Sequence, residues 1–157
     1  MTLDDLTVSF GSVSQESVLS DWVWLVGDQK LPILLTSSGD AFLQDPDDGS
    51  VHFLDTGAAH LEKVADSIEE FQNLLNDKAF VVNYMAVEMV GDLIQAGQVL
   101  EKEQIYSLIK PLVLGGEYTH ENLEVADIEV HFSTLGQIHR KVKDLPDGAS
   151  VNLVDFK

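Results

Sequence analysis

Cysteine is absent from this 157-residue chain, so it has no thiol nucleophile and no thiolate metal site, and its five histidines are the first residues to weigh for chemistry. His131 and His139 are the most suggestive pair. Eight residues apart on a helix they lie about 80° from each other around its axis, sharing a flank but too far along it to ligate one ion by themselves. The expected use of each imidazole is a hydrogen bond to a neighbouring strand or glycine turn, with a partner contact or acid–base catalysis as the alternatives. His120-Glu121-x-x-Glu124 approaches the two-histidine zinc pattern, but a glutamate stands where the second histidine is required. Asp45, Asp47 and Asp48 ahead of Gly49 resemble a fragment of a calcium loop without its remaining ligands, so a solvated hairpin turn is expected. No G-x-G-x-x-G, P-loop, G-x-S-x-G or H-E-x-x-H is present. These patterns predict no enzyme, no metal and no cofactor.

The elements that must position these groups read as strands first and helices later. After a short amphipathic piece at residues 15–20, apolar runs at 22–26, 31–36, 41–44 and 51–55 are separated by Gly27-Asp28, Ser37-Ser38-Gly39 and Asp45-Pro46-Asp47-Asp48-Gly49. This predicts a β-meander in which Phe42 and Phe53 share a buried face, and in which Trp22 and Trp24 lie on one side of a strand. Ser67-x-x-Glu70 predicts a capping box opening a helix through about Leu75, with Ile68, Phe71, Leu74 and Leu75 on its apolar face. A second helix is predicted over residues 84–96, ending near Gly97. Residues 104–109 and 112–114 read as extended pieces broken by Pro111, and Gly115-Gly116 permits positive φ. Tyr118 reads as a packing anchor with a polar handle. Asp127 is expected to cap a helix over 128–142 that turns Ile128, Phe132, Leu135, Ile138 and Val142 inward. Pro146-Asp147-Gly148 then stops it and releases a last strand at 150–154.

Length fits one domain, which would bury roughly 70% of the surface its unfolded chain exposes. No repeat, low-complexity tract or linker marks a boundary, so residues 1–157 are expected to form one α+β unit. A hydrophobic fraction of 45% excludes a disordered acidic tail, while the net charge of −18 disfavours direct binding to nucleic acid. Residues 1–76 carry 14 acidic and 2 basic side chains, against 13 and 7 in residues 77–157, so the negative field belongs mainly to the first half. Such a field keeps a protein soluble, and it also steers a basic partner. The start lacks the basic and apolar pattern of a signal peptide, and no apolar run approaches membrane-spanning length. With no disulfide framework possible, a cytoplasmic location is expected.

One stretch resembles a known family. Leu114-Gly115-Gly116-Glu117-Tyr118, then His131, Gly136-Gln137 and His139, then Leu145-Pro146-Asp147-Gly148, is similar to the C-terminal domain of bacterial immunity proteins that neutralise nuclease effectors of type VI secretion systems, a group placed near the SUKH immunity superfamily. The resemblance covers residues 96–151, including Gln104-x-Tyr106, and makes 97–157 the family segment. Residues 1–96 match loosely through Trp22-Val23-Trp24, Ser38-Gly39-Asp40 and Ser67-x-x-Glu70-Phe71. It implies a SUKH-like fold with a mixed or antiparallel sheet packed on helices. It also implies stoichiometric binding of a cognate basic nuclease toxin rather than catalysis. A domesticated module of the same fold with a non-toxin partner is the alternative, and a hydrolase or metal enzyme using His131 and His139 is a third. The acidic meander, through Asp40, Asp45, Asp47, Asp48 and Asp55, is the expected contact face, because turn carboxylates are expected to be exposed.

Overall fold

In a computed structural model of the chain, which describes residues 1–9, 11 and 13–146, these spacings become seven helices and seven strands. The order is α1 (Leu3–Leu6), β1 (Thr7–Val8), α2 (Gln15–Leu19), α3 (Val23–Val26), β2 (Leu31–Thr36), β3 (Ala41–Gln44), β4 (Val51–Asp55) and β5 (His60–Ala65). It continues with α4 (Ile68–Leu74), α5 (Lys78–Tyr84), α6 (Val87–Gln95), β6 (Gln104–Leu108), β7 (Leu123–Asp127) and α7 (Ile128–Val142). β1 to β5 form an antiparallel meander in chain order, and β6 and β7 form a second antiparallel pair. The fold is therefore α+β with antiparallel sheets. Among the described residues no helix is long and apolar enough to cross a membrane.

Helices cover both faces of the meander, which is why its central strand reads as an unbroken apolar run rather than an alternating one. Phe42 and Phe53 are paired across β3 and β4 with ring centroids 5.0 Å apart, and pack with Phe71, Phe80, Met85, Val90 and Leu93 of the α4–α6 side. Their neighbours Ala41, Leu43 and Leu54 point the other way, into a cluster with Val18, Trp22, Ile105, Ile128 and Phe132 from α2, β6, α7 and the 3₁₀ turn before α3. The Asp45–Gly49 hairpin forms as expected, with the Asp45 amide donating to the Ser50 carbonyl at 2.9 Å. A tie between the sheets comes from the Tyr106 amide, which donates to the Ser37 carbonyl at 2.8 Å.

Several local expectations are corrected. Residues 22–26 are helical, not a strand: Trp22 and Val26, one turn apart, are buried while Val23 is exposed, and the two indoles stack at 5.9 Å. Residues 112–114 form a 3₁₀ turn after Pro111. The helix predicted over 84–96 is α6, which starts only at Val87 after Ala86 with φ +49°; Tyr84 instead ends α5, a separate helix that begins where the Asp77 carboxylate accepts the Ala79 amide at 2.9 Å. Ser67 caps α4 by accepting the Glu70 amide at 3.1 Å, but the Glu70 carboxylate receives the Asp66 amide instead of that of Ser67. Asp127 occupies the N-cap of α7 without a side-chain bond to it. Leu135 and Val142 are half-buried, while His131, Gly136 and His139 are buried with Ile128, Phe132 and Ile138. The strand expected at 150–154 and the turn at Asp147-Gly148 lie outside the described residues.

Candidate functional site

Helix α7 is fastened to the N-terminal half by groups that leave little room for variation. The buried Trp22 indole N–H donates to the Phe132 carbonyl at 2.8 Å, and the Ser133 hydroxyl donates to the Asp21 carboxylate at 2.6 Å. A Cβ at Gly136 would lie 2.5 Å from the Asp21 carbonyl oxygen, so only glycine allows this approach. On the same helix His131 reaches the Gly39-Asp40 turn. Its Nε2 sits 2.7 Å from the Gly39 carbonyl, which can only accept, so Nε2 carries the proton; Nδ1 then accepts the Ser107 hydroxyl at 2.7 Å. Burial drives its pKa down to about 4 against the opposing Gly39 bond, so the ring is neutral. His139 donates from Nε2 to the Thr56 carbonyl at 2.9 Å beside the Trp22 ring, and burial likewise lowers its pKa. Both histidines thus join α7 to strand ends and a glycine turn.

Beside His131 a cleft of about 190 Å³ opens between the ends of β3 and β4, strand β6 and the loop 111–118. Among the described residues Asp40 and Asp55 are its charged groups, and no lysine or arginine lines it. Asp40 Oδ1 accepts the Thr56 amide at 2.9 Å and lies 3.2 Å from the Thr56 hydroxyl. Burial first, and the Asp55 charge second, push its pKa up to about 7 in spite of those bonds. Asp55 Oδ1 accepts the amides of Gly57 and Ala58 at 3.0 and 3.1 Å. In each carboxylate Oδ1 is therefore held in place, and Oδ2 takes no hydrogen bond among the described residues. Tyr118 is 53% exposed, yet burial of its hydroxyl, then the charges of Asp40 and Asp55, push its pKa up to about 12.

The five carboxylates expected to share an exposed face are divided in two. Asp40 and Asp55 sit at one end of the β3–β4 hairpin and are half-buried, because Thr56 and the turn 56–58 fold over them. Asp45, Asp47 and Asp48 sit at the other end, roughly 17 Å away at about 3.4 Å per residue. Two of these shape the turn: Asp45 accepts the Asp47 amide at 2.9 Å, and Asp48 accepts the Ser50 amide and hydroxyl at 2.9 and 2.6 Å. Those Ser50 bonds hold the Asp48 pKa below the usual carboxylate range.

The family-pattern residues go mostly to construction. Gly115 has φ +93°, and a Cβ at Gly116 would collide with the Lys110 carbonyl. Gln137 donates to Ser133 at 3.0 Å, whereas Leu145 and Pro146 are exposed beyond the helix, and Asp147 and Gly148 lie outside the described residues. Thr56, which links Asp40 to His131, and Ser107, which donates to His131, carry no signal in the sequence: a lone hydroxyl residue near a strand end belongs to no spacing pattern. His120 and Glu121 lie in a 3₁₀ turn and Glu124 in β7, so they share no helical face.

No curated protein matches the chain. A solved structure, "Crystal structure of Atu4351 from Agrobacterium tumefaciens", is similar with a TM-score of 0.56 at 15% sequence identity, a likeness of fold. The match covers 78% of this chain but 64% of that one, so this chain spans less than two thirds of its neighbour's length. Residues 65–139, from the last residue of β5 to His139 of α7, match the family model described as "T6SS immunity protein Tdi1, C-terminal", so this segment is similar to the type VI secretion immunity family.

Proposed function

We propose that the chain acts in the cytoplasm as an immunity protein, one unit over 1–157, that binds a cognate nuclease-type toxin stoichiometrically and has no turnover or metal requirement of its own. The observation that carries this reading is the family match over 65–139. The site geometry supports it: both imidazoles that could have served as acid or base are neutral, buried and hydrogen-bonded into the scaffold. So does the charge, since a net of −18 attracts the basic cleft that a DNA-cutting protein needs. Within this reading Asp45, Asp47 and Asp48 provide the outward field that guides the partner, and Asp40 and Asp55 act at contact.

The test is protection and complex formation together. If a secreted nuclease is encoded beside this chain's gene, cells expressing it should survive when the chain is co-expressed, and the two purified proteins should form a complex of fixed stoichiometry by calorimetry. Cleavage of DNA by the toxin should stop at one equivalent of this protein. Protection without complex formation, or inhibition at catalytic amounts, refutes stoichiometric neutralisation.

A further inference from the structure

The surface around the loop 111–118 gathers large apolar side chains on an otherwise strongly acidic molecule. Leu112, Val113 and Tyr118 of that loop and the adjoining Ile109 are all exposed. Three cavities meet along it, sharing Pro111, Leu135 and His131 on one side and Tyr118 and Leu123 on the other. Large apolar side chains clustered at the surface and flanking a recessed charge are the composition of a protein-binding patch. The loop that bears them is rigid: Gly116 abuts the Lys110 carbonyl, and Asn122 ties Lys110 and Glu117 together through bonds of 2.8 and 2.9 Å.

Size and charge then select the occupant. A central cleft of about 190 Å³ falls below the roughly 300 Å³ at which pockets take drug-sized ligands, so it suits one side-chain head group. Its charged walls are the two carboxylates, with Oδ1 anchored on backbone amides and Oδ2 left for a donor. We infer that this cleft is the specificity pocket of the partner interface and that it receives an arginine side chain of the partner protein, its guanidinium between Asp40 and Asp55 and against the Tyr118 ring, while Leu112 and Val113 meet apolar neighbours of that arginine. A planar guanidinium supplies several N–H donors to two carboxylates and stacks on an aromatic face, which an ammonium does less well. The high proton affinity of Asp40 agrees with this, because burial first and the neighbouring Asp55 charge second disfavour its carboxylate in the free cleft, and a guanidinium would offset both.

This inference rests on the immunity reading, and the experiment separates the two. Binding of the catalytically inactivated neighbouring toxin is measured by calorimetry for wild type, Asp40→Asn/Asp55→Asn and Tyr118→Ala. Asparagine keeps the Oδ1 acceptor in each turn, so the double variant removes charge and not the turn bonds. The expected result is a loss of at least about 30-fold for the double variant, carried by the off-rate, and about tenfold for Tyr118→Ala. If wild type does not bind, the immunity reading fails. If wild type binds and both variants bind within threefold of it, the pocket assignment falls while immunity stands. N-acetyl-arginine N-methylamide, with its citrulline and lysine counterparts, probes the head group by NMR. Shifts at Gly57, Ser107 and Tyr118 larger for arginine than for the other two support the assignment, and equal or absent shifts overturn it.

Discussion

Replacing Asp40 by asparagine should stabilise this protein at neutral pH, and the gain should vanish in acid. Folding raises the Asp40 pKa from 3.8 to about 7. Between those values the folded protein holds a proton that the unfolded chain releases, so Asp40 makes stability fall as pH rises from about 4 to 7. A rise of that size, at about 1.36 kcal/mol per pH unit, sets a ceiling of about 4 kcal/mol, and the part of Asp40 left in contact with water lowers the expected gain to about 2–3 kcal/mol. His131 has the opposite linkage: its pKa falls from 6.5 to about 4, so the unfolded chain holds the proton and stability rises with pH over that window. The two slopes oppose each other between about pH 4 and 6.5, and Asp40→Asn should expose that of His131. The introduced amide still offers an oxygen to the Thr56 amide and hydroxyl. The assay is urea unfolding of both proteins from pH 4.5 to 8, taking the difference at each pH so that the remaining carboxylates cancel. The gain should be largest at pH 8 and fall to about a quarter of that at pH 4.5. A variant that is less stable than wild type at pH 8, or a difference independent of pH, would refute the argument that the Asp40 carboxylate is desolvated beside Asp55.

Three further outcomes are expected. Gly136→Ala should destabilise by about 1–3 kcal/mol, seen as a lower urea midpoint, because its methyl meets the Asp21 backbone and must push α7 away. Thr56→Val should lower stability by about 1–2 kcal/mol in the same assay, since its hydroxyl donates to the Gly39 carbonyl at 2.7 Å inside the His131 junction. Asp47→Lys should slow association with the toxin several-fold at low salt and flatten its salt dependence, with little change in off-rate or stability, as Asp47 gives the turn its amide and not its carboxylate; an unchanged on-rate in stopped flow would remove this turn from steering.

Apolar runs bounded by turn residues mark β2, β3, β4 and β6, and three/four spacing of apolar side chains marks α4 and α7. The failures have physical sources. Trp22-Val23-Trp24 looks like alternation, but its indole N–H groups must find acceptors, and a helical turn lets Trp22 reach Phe132 and Trp24 reach Asp21. β5 shows no alternation in the sequence because an edge strand is dressed in charge, here Glu62 and Lys63. α5 was signalled by Asp77 as a cap and by Phe80 and Tyr84 one turn apart, a pattern submerged in the longer apolar run that continues to Ile94.

The site was less legible than the fold because the residues that form a recognisable spacing are those that build the frame. Gly116, His131, Gly136 and His139 each meet a fixed backbone atom, so their types are tightly constrained and they stand out in a sequence. A contact surface has no such internal template: its side chains must fit another molecule, and that molecule is not encoded here. Turn composition placed Asp40 and Asp55 on exposed loops, but it could not show that Thr56 folds over one and the turn at Gly57 over the other, or that β3 and β4 bring them to the same end of the hairpin. Tyr118 connects the two sets, since the double glycine that fixes its loop is a frame feature and its own ring is half in water. A frame that sets a half-exposed ring beside two anchored carboxylates orders these groups before any partner arrives, which reduces the entropy lost on binding.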